Sequence, residues 1–404
     1  MKLLHTSDWH LGRMLYAKKD RQDEHAAFLK WLLQTIQNNG VDLLLVVGDI
    51  FDNASPGSAS QKMYYDFLLN VRNAGCKNMI VVGGNHDSPN FLNAPKAVLS
   101  ALNITVIGNA GENPADEVVV IKDENETPLA IVCAAPFLRE RDLNRFTEGE
   151  SYADRSKRIA DNIKKHYEQL AEIAAEIQEN ADTKIPVIAT GHLSVTGGQT
   201  VEDDGVRETY IGNIECAGSD IFPEIFDYVA LGHYHIPSVI SERIRYCGSP
   251  LPMGFGEASQ WKCVYLVEFK EDTPIVSTVK IPVFQKLESI QGDKAFISSR
   301  LDDLKMSGAS VWVEIIYAGS NVFPDFTTWA AEQTVNSNIE ILKLQNRQYL
   351  MEVLTRDDST QPLEDLEQLK VFEKLLDKNS VSDEQKAAFR ALYGEITDSL
   401  YIEN

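Results

Sequence analysis

The chain is poor in the features that would assign it to several common classes. Its five cysteines are odd in number, widely spaced and never arranged as Cys-x-x-Cys. Neither a disulfide framework nor a cysteine zinc site is therefore expected, and a reduced, cytoplasmic protein is the expectation. No apolar run approaches the roughly 18 residues of a membrane span, and the first residues enter a strand pattern directly, so no membrane association is expected. Basic residues are short as well: 38 Lys and Arg stand against 60 Asp and Glu, for a net charge of −22. That balance argues against a nucleic-acid binder, because phosphate contacts need an overall or local excess of Lys and Arg. Bound divalent metals invert the local sign where a phosphate sits, and a partner chain can supply basic surface, so the charge alone does not fix the substrate.

What is present points to a layered α/β protein. With 404 residues two or three domains are expected, and a 44% hydrophobic content can build a substantial core. Over residues 1–283 strand-like and helix-like segments alternate, with helical periodicity at 22–37, 59–74 and 153–180. Residues 109–128 read as a surface loop plus an edge hairpin. Glycine-bearing loops at 196–198 and 248–256 follow strands and can line a crevice. A second region, 284–350, alternates helix (293–305), strand (310–317), helix (324–333) and strand (339–344), which suggests a small α/β module. A tail at 360–404 carries two amphipathic patterns. Leu363, Leu366, Leu369, Phe372 and Leu376 mark one; Phe389, Leu392, Ile396 and Leu400 mark the other, opened by a capping box at Ser382. The polar linker before them favours a detached helical pair that offers its apolar stripe to a partner.

Histidine is scarce, and its placement is the strongest signal. Of eight histidines, five follow short apolar runs: His10 in Asp8-Trp9-His10, His86 in Gly84-Asn85-His86-Asp87, His192 after Gly191, and His233 and His235 after Gly232. Gly48-Asp49 closes a further run. In α/β sheets ligands gather beyond the carboxyl ends of strands, so these loops are expected to converge on one volume. The glycines suit a backbone that turns sharply or lies against a ligand. Asp, His and Asn without cysteine suit Mn²⁺, Fe²⁺ or Zn²⁺. Seven candidates (Asp8, His10, Asp49, Asn85, His192, His233 and His235) are too many for one ion and fit two that share a carboxylate. Two ions ~3.5–4 Å apart can hold both oxygens of an in-line phosphoryl displacement. His86 is expected to turn away from the ions that Asn85 faces and to act as general acid, oriented by Asp52 or Asp87. His5, His25 and His166 are read as structural or solvent-facing, and Trp9, Trp31, Trp261, Trp312 and Trp329 as packing residues. The loop 139–145, rich in arginine, is either a phosphate contact or a solvated loop.

These motifs resemble the calcineurin-like binuclear metallophosphoesterases, and within them the SbcD-like, Mre-type nuclease branch. The resemblance rests on His5-Thr6-Ser7-Asp8-Trp9-His10-Leu11-Gly12, Gly48-Asp49-Ile50-Phe51-Asp52, Gly84-Asn85-His86-Asp87, Thr190-Gly191-His192-Leu193, Leu231-Gly232-His233-Tyr234-His235 and Tyr246-Cys247-Gly248-Ser249-Pro250. It implies a sandwich of two mixed β-sheets flanked by helices, with Asp8, His10 and His235 on one ion. Asn85, His192 and His233 would hold the other, Asp49 would bridge, and His86 would be the catalytic histidine. It further implies two divalent ions, Mn²⁺ ahead of Mg²⁺, single-strand endonuclease and ATP-dependent 3′–5′ double-strand exonuclease activity on DNA, and a heterotetramer with the SbcC ATPase. Pairing through helices 22–37 and 59–74, a DNA-capping role for 284–350 and docking of 360–404 on SbcC complete the expectation. The alternatives are another binuclear phosphoesterase, such as a nucleotide phosphodiesterase or protein phosphatase, or a non-catalytic scaffold.

Overall fold

Strands that are apolar at every position need cover on both faces, and here two sheets face each other with helices outside both. The computed structural model describes residues 1–346 except 124, 141, 144–151, 182, 201–216, 271–272, 322 and 324, together with Lys386 and Arg390. The expected tail helices at 360–404 thus lie outside the described residues. Among those described, no helix is long and apolar enough to cross a membrane.

The first sheet orders its strands Ile275–Lys280, Cys263–Glu268, Lys2–Thr6, Leu43–Val47, Asn78–Val82 and Ile104–Ile107. The last four run parallel, and the first two form an antiparallel hairpin on the side of Lys2–Thr6. The second sheet has a parallel centre (Ile244–Tyr246, Tyr228–Gly232, Val187–His192, Pro128–Cys133) and antiparallel edges. Val118–Lys122 is one of those edges, paired with Pro128–Cys133 as the expected edge hairpin.

Side-chain alternation sorts each strand between two cores. Leu3, Leu43, Leu45 and Val47 point inward to meet Ile188, Tyr228 and Ala230 of the other sheet. Leu4, Leu44 and Val46 point outward to Phe28, Leu32 and Phe67 on the helices Gln22–Asn39 and Ser58–Val71. On the far side Cys133, Ala189 and Leu231 meet Tyr167 and Leu170 of the helix Tyr152–Glu179. This is the expected sandwich of two mixed sheets flanked by helices.

Residues 286–346 build a third, fully parallel sheet of Lys286–Gly292, Val311–Tyr317 and Ile339–Asn346. Helices Lys294–Ser307 and Phe326–Thr334 cover one face through Ile297, Leu301, Leu304 and Ala330. Asp293 caps the first of them by accepting from the Phe296 amide at 2.8 Å. The other face sets Leu287, Trp312 and Leu342 against Leu15 and Phe255 of the large domain. Lys18 Nζ donates to the Leu342 carbonyl at 2.6 Å, and Lys19 pairs with Glu340 at 2.7 Å. The strand Lys286–Gly292 has no counterpart in the sequence reading. Trp261 departs from the expected packing role: it is 52% exposed, with Lys280 over its ring.

Candidate metal centre

The site forms where strands of both sheets end. Lys2–Thr6, Leu43–Val47 and Asn78–Val82 deliver Asp8, Asp49 and Asn85 from the first sheet; Val187–His192 and Tyr228–Gly232 deliver His192 and His233 from the second. The loops after Thr6 and Val47 stay laced together beyond the sheet. Asp8, His10 and Leu11 amides donate to the carbonyls of Gly48, Asp49 and Ile50 at 2.9–3.0 Å. Four non-glycine residues at the site have positive φ: Asp8 (53°), His10 (47°) and Asp49 (49°) on these laced loops, and His233 (100°) after the second sheet. Such conformations are costly and persist where the surroundings over-determine them, as at ligand-holding sites. Glycine is needed for close approach. A Cβ on Gly48 would lie 2.0 Å from His192 Nδ1, and one on Gly84 2.1 Å from Asp49 Oδ1.

All seven predicted ligands come together. Nε2 of His10 and Nε2 of His235 are 3.1 Å apart, with Asp8 beside them in one trio of ligand atoms. Oδ1 of Asn85 lies 3.0 Å from His192 Nε2 and 3.2 Å from His233 Nδ1. Asp49 stands between the groups, its Oδ2 3.6 Å from His10 Nε2 and 3.3 Å from His192 Nε2. Asp8, His10 and His192 are fully buried and Asp49 nearly so. Buried imidazole nitrogens and carboxylate oxygens aimed at one another, with no apolar filling, match the donor set of two divalent cations.

The electrostatics fit a site built for cations. Burial is the main force on Asp8 and, with the Asp49 charge, lifts its carboxyl to about 7, against the pull of His192, Ser7 and the His233 amide. Burial alone would also raise Asp49, but the charge and hydrogen bond of His192, with His86 and His10, hold it well below the usual carboxylate range. Burial disfavours the charged form of His192, yet Asp49 and Asp8 lift it to about 9. Burial lowers His10 and takes His233 to about 3.

A supporting layer fixes these groups. His192 Nδ1 faces the Val47 carbonyl at 3.1 Å, which leaves Nε2 toward the centre. Asp8 accepts from the Ser7 hydroxyl and, at 3.0 Å, from the His233 amide. Asp87 accepts from the amides of Gly84, Ile50 and Phe51 at 2.9–3.1 Å, so it ties two loops and does not orient His86.

His86 differs from expectation in two respects. It does not turn away: its Nε2 is 4.0 Å from Asp49 Oδ2 and its ring meets His10 edge-on at 4.9 Å. Asp52 does reach it, but through the backbone carbonyl, which lies 2.8 Å from His86 Nδ1. The Asp52 carboxylate faces His10 Nδ1 at 3.4 Å and Arg13 at 3.1 Å instead, and these partners hold it well below its usual range although burial opposes them.

The remaining histidines, expected to be structural or solvent-facing, have protein partners away from the cluster. His5 lies between Tyr228 Oη and the Leu231 carbonyl, His25 faces the Trp9 carbonyl, and His166 pairs with Glu117. Arg139 donates to the Asp87 carbonyl at 3.0 Å, behind the Asn85–His86 turn; Arg145 lies outside the described residues. The sequence reading missed Glu257 and Lys262, a buried ion pair beside His235. Two charged residues five apart in a loop carry no signal that distinguishes them from a solvated surface.

Residues 1–237 match the calcineurin-like phosphoesterase family, and residues 283–380 match the family described as type 5 capsule protein repressor C-terminal domain. The SbcD subunit of nuclease SbcCD from Escherichia coli (strain K12) is 33% identical over 398 residues, 97% of each chain. Its counterpart of the same name from Rhodobacter capsulatus is 36% identical over 265 residues, 64% of each chain. A solved dimetal phosphatase from Danio rerio aligns at 13% identity and a TM-score of 0.40, over 70% of this chain and 97% of its own, a remote likeness that adds nothing to the family match. A metal-dependent phosphodiesterase of the calcineurin-like family, this chain belongs with the SbcD nucleases.

Proposed function

We propose that the chain is the DNA-cutting subunit of an ATPase-gated repair complex and hydrolyses phosphodiester bonds at a pair of Mn²⁺ ions, with Mg²⁺ as the other candidate. The observation that carries this reading is Asp49 Oδ2, which lies within 3.6 Å of one imidazole from each donor group and so is the shared ligand of a pair. Asp8, His10 and His235 would hold one ion; Asn85, His192 and His233 would hold the other. A pair of divalent ions held there would supply an activated water and neutralise phosphate charge. The chain's own residues do the rest. The Asp52 carbonyl keeps the Nδ1 proton of His86 engaged, so that a second proton on Nε2 is free to go to the leaving oxygen. Asp87 ties together the two loops that carry His86 and Asp52.

DNA is the substrate proposed from the names of the relatives, and the SbcC ATPase is the proposed partner, in a heterotetramer bound through 360–404. A homodimer through Gln22–Asn39 and Ser58–Val71 and a DNA-capping role for 284–350 complete the reading. A net charge of −22 leaves tight DNA binding to the assembly rather than to this chain alone.

The test offers the purified chain, with Mn²⁺, single-stranded DNA and a small aryl phosphodiester. Both should be cleaved, and His86→Ala should keep its ions but lose cleavage of both. Hydrolysis of the small ester alone would remove DNA as the substrate, and an active His86→Ala would remove its role as acid. Truncation after Arg356 should abolish co-purification with SbcC while sparing the small ester; unchanged co-purification counts against docking by the tail.

A further inference from the structure

A carboxylate and an ammonium are buried together beside His235. Glu257 is fully buried and Lys262 is 5% exposed. Lys262 Nζ contacts Glu257 Oε2 and also donates to the His235 carbonyl at 2.8 Å and the Ser249 hydroxyl at 3.1 Å. The Met253 amide donates to the same Glu257 oxygen at 3.2 Å. The other oxygen, Oε1, lies 3.8 Å from Nδ1 of His235, an ion-pair separation longer than a hydrogen bond. The opposite nitrogen of that ring, Nε2, faces His10 at 3.1 Å within the metal cluster. The backbone that carries Glu257 is itself fixed: Phe255 stacks on Tyr16 with centroids 5.3 Å apart, and its amide donates to the Tyr16 hydroxyl at 2.9 Å.

Stability alone gives no reason for this pair. Taking two charges out of water costs as much as their attraction returns, and well-packed apolar residues serve a fold as well or better. A carboxylate at the far nitrogen of a metal-binding histidine has a specific use, because it fixes the tautomer and ring orientation and raises the basicity of the ligand nitrogen.

We propose that Glu257 and Lys262 are positioning residues of the metal centre: the Glu257 charge, 3.8 Å from Nδ1 of His235, favours a proton on that nitrogen and so leaves Nε2 to face the ion, and Lys262 anchors both that carboxylate and the His235 backbone. The inference rests on the reading of His235 as an ion ligand.

Calorimetric Mn²⁺ titration of the full chain, paired with thermal unfolding of the metal-free protein, separates the possibilities. His235→Ala should lose one of two ions. The double variant Glu257→Gln/Lys262→Met removes both charges with side chains of similar size. It should unfold near the wild-type temperature without metal, yet bind one ion about 10–100-fold more weakly and the other unchanged. Glu257→Asp, which keeps the charge, should recover part of that affinity. Wild-type affinity for both ions in the double variant, where His235→Ala does lose one, overturns the inference and leaves the ligand reading intact. Equal weakening of both ions with a lower unfolding temperature also overturns it, because that is a general structural role. Retention of both ions by His235→Ala overturns the ligand reading and this inference with it.

Discussion

The two halves of the proposed metal centre are built on different principles. Asp8, His10 and His235 include a carboxylate of their own, whereas Asn85, His192 and His233 do not, and His192 meets the charges of Asp49 and Asp8. Their support differs too. Side chains stand behind the first half: Ser7 on Asp8, Asp52 on His10, and Glu257 facing His235. Backbone stands behind the second, with the Val47 carbonyl on His192 Nδ1 and Gly48 leaving room for that ring. Side chains thus back one half, and backbone and close packing the other.

The largest effect expected is that of the shared ligand. Asp49→Asn should weaken both ions and reduce cleavage by about two orders of magnitude or more, in line with the cost of losing a metal-centred catalytic group; a titration that shows only one ion weakened would break the symmetry assumed for Asp49. Next come the separate halves. His235→Ala and His233→Ala should each lose one ion and keep the other, so the double variant should lose both, as read by metal content after gel filtration. Loss of both ions in either single variant would mean that the halves do not bind independently.

Gly48→Ala sharpens the contrast in shape. Its Cβ would meet His192 Nδ1 at 2.0 Å from a residue whose φ is 80°. The variant should lose about 1–3 kcal/mol of stability by denaturant unfolding and weaken the His192 ion while sparing the Asp8 ion. Equal loss at both ions would count against a local clash.

The smallest effect is graded and concerns pH. Asp8, raised to about 7, holds a proton below that pH which an incoming ion must displace, so affinity in its half should climb as pH rises and level off above about 7. His192, raised to about 9, stays protonated higher, so affinity in its half should keep climbing toward about 9. Calorimetry in buffers of different ionisation enthalpy, on His233→Ala and His235→Ala in turn, reads the protons released by each half; identical profiles would contradict the difference.

Much of this was legible in the residues themselves. The largely apolar runs before Asp8, Asp49, Asn85, His192 and His233 read as strands because short aliphatic runs, most of them closed by glycine, fit sheets covered on both faces, and the ligand chemistry followed from residue type. Among the described residues, the five longer helices were legible from period to within a few residues at each end, whereas the one-turn helices Pro89–Asn93 and Lys96–Ser100 are too short to show a period. What stayed hidden depends on contacts remote in sequence. The positive φ of Asp8, His10 and Asp49 accompanies the lacing of two loops 40 residues apart, and that of His233 sits where its amide meets the Asp8 carboxylate. Asp52 was chosen for its carboxylate, but its carbonyl is what faces His86, and no side-chain rule anticipates that. Lys286–Gly292 is a strand because Val311–Tyr317 pairs with it along its length, while its own charges and closing glycine give no strand pattern. Glu257 and Lys262 are buried only because the loop from Ser249 folds back under His235.

The claim at the centre is that two ions share Asp49. Electron paramagnetic resonance of the purified chain loaded with two equivalents of Mn²⁺ tests it directly. A bridged pair should give an exchange-coupled spectrum that collapses to isolated Mn²⁺ signals in Asp49→Asn. Isolated Mn²⁺ signals from the wild-type chain at full loading would contradict it.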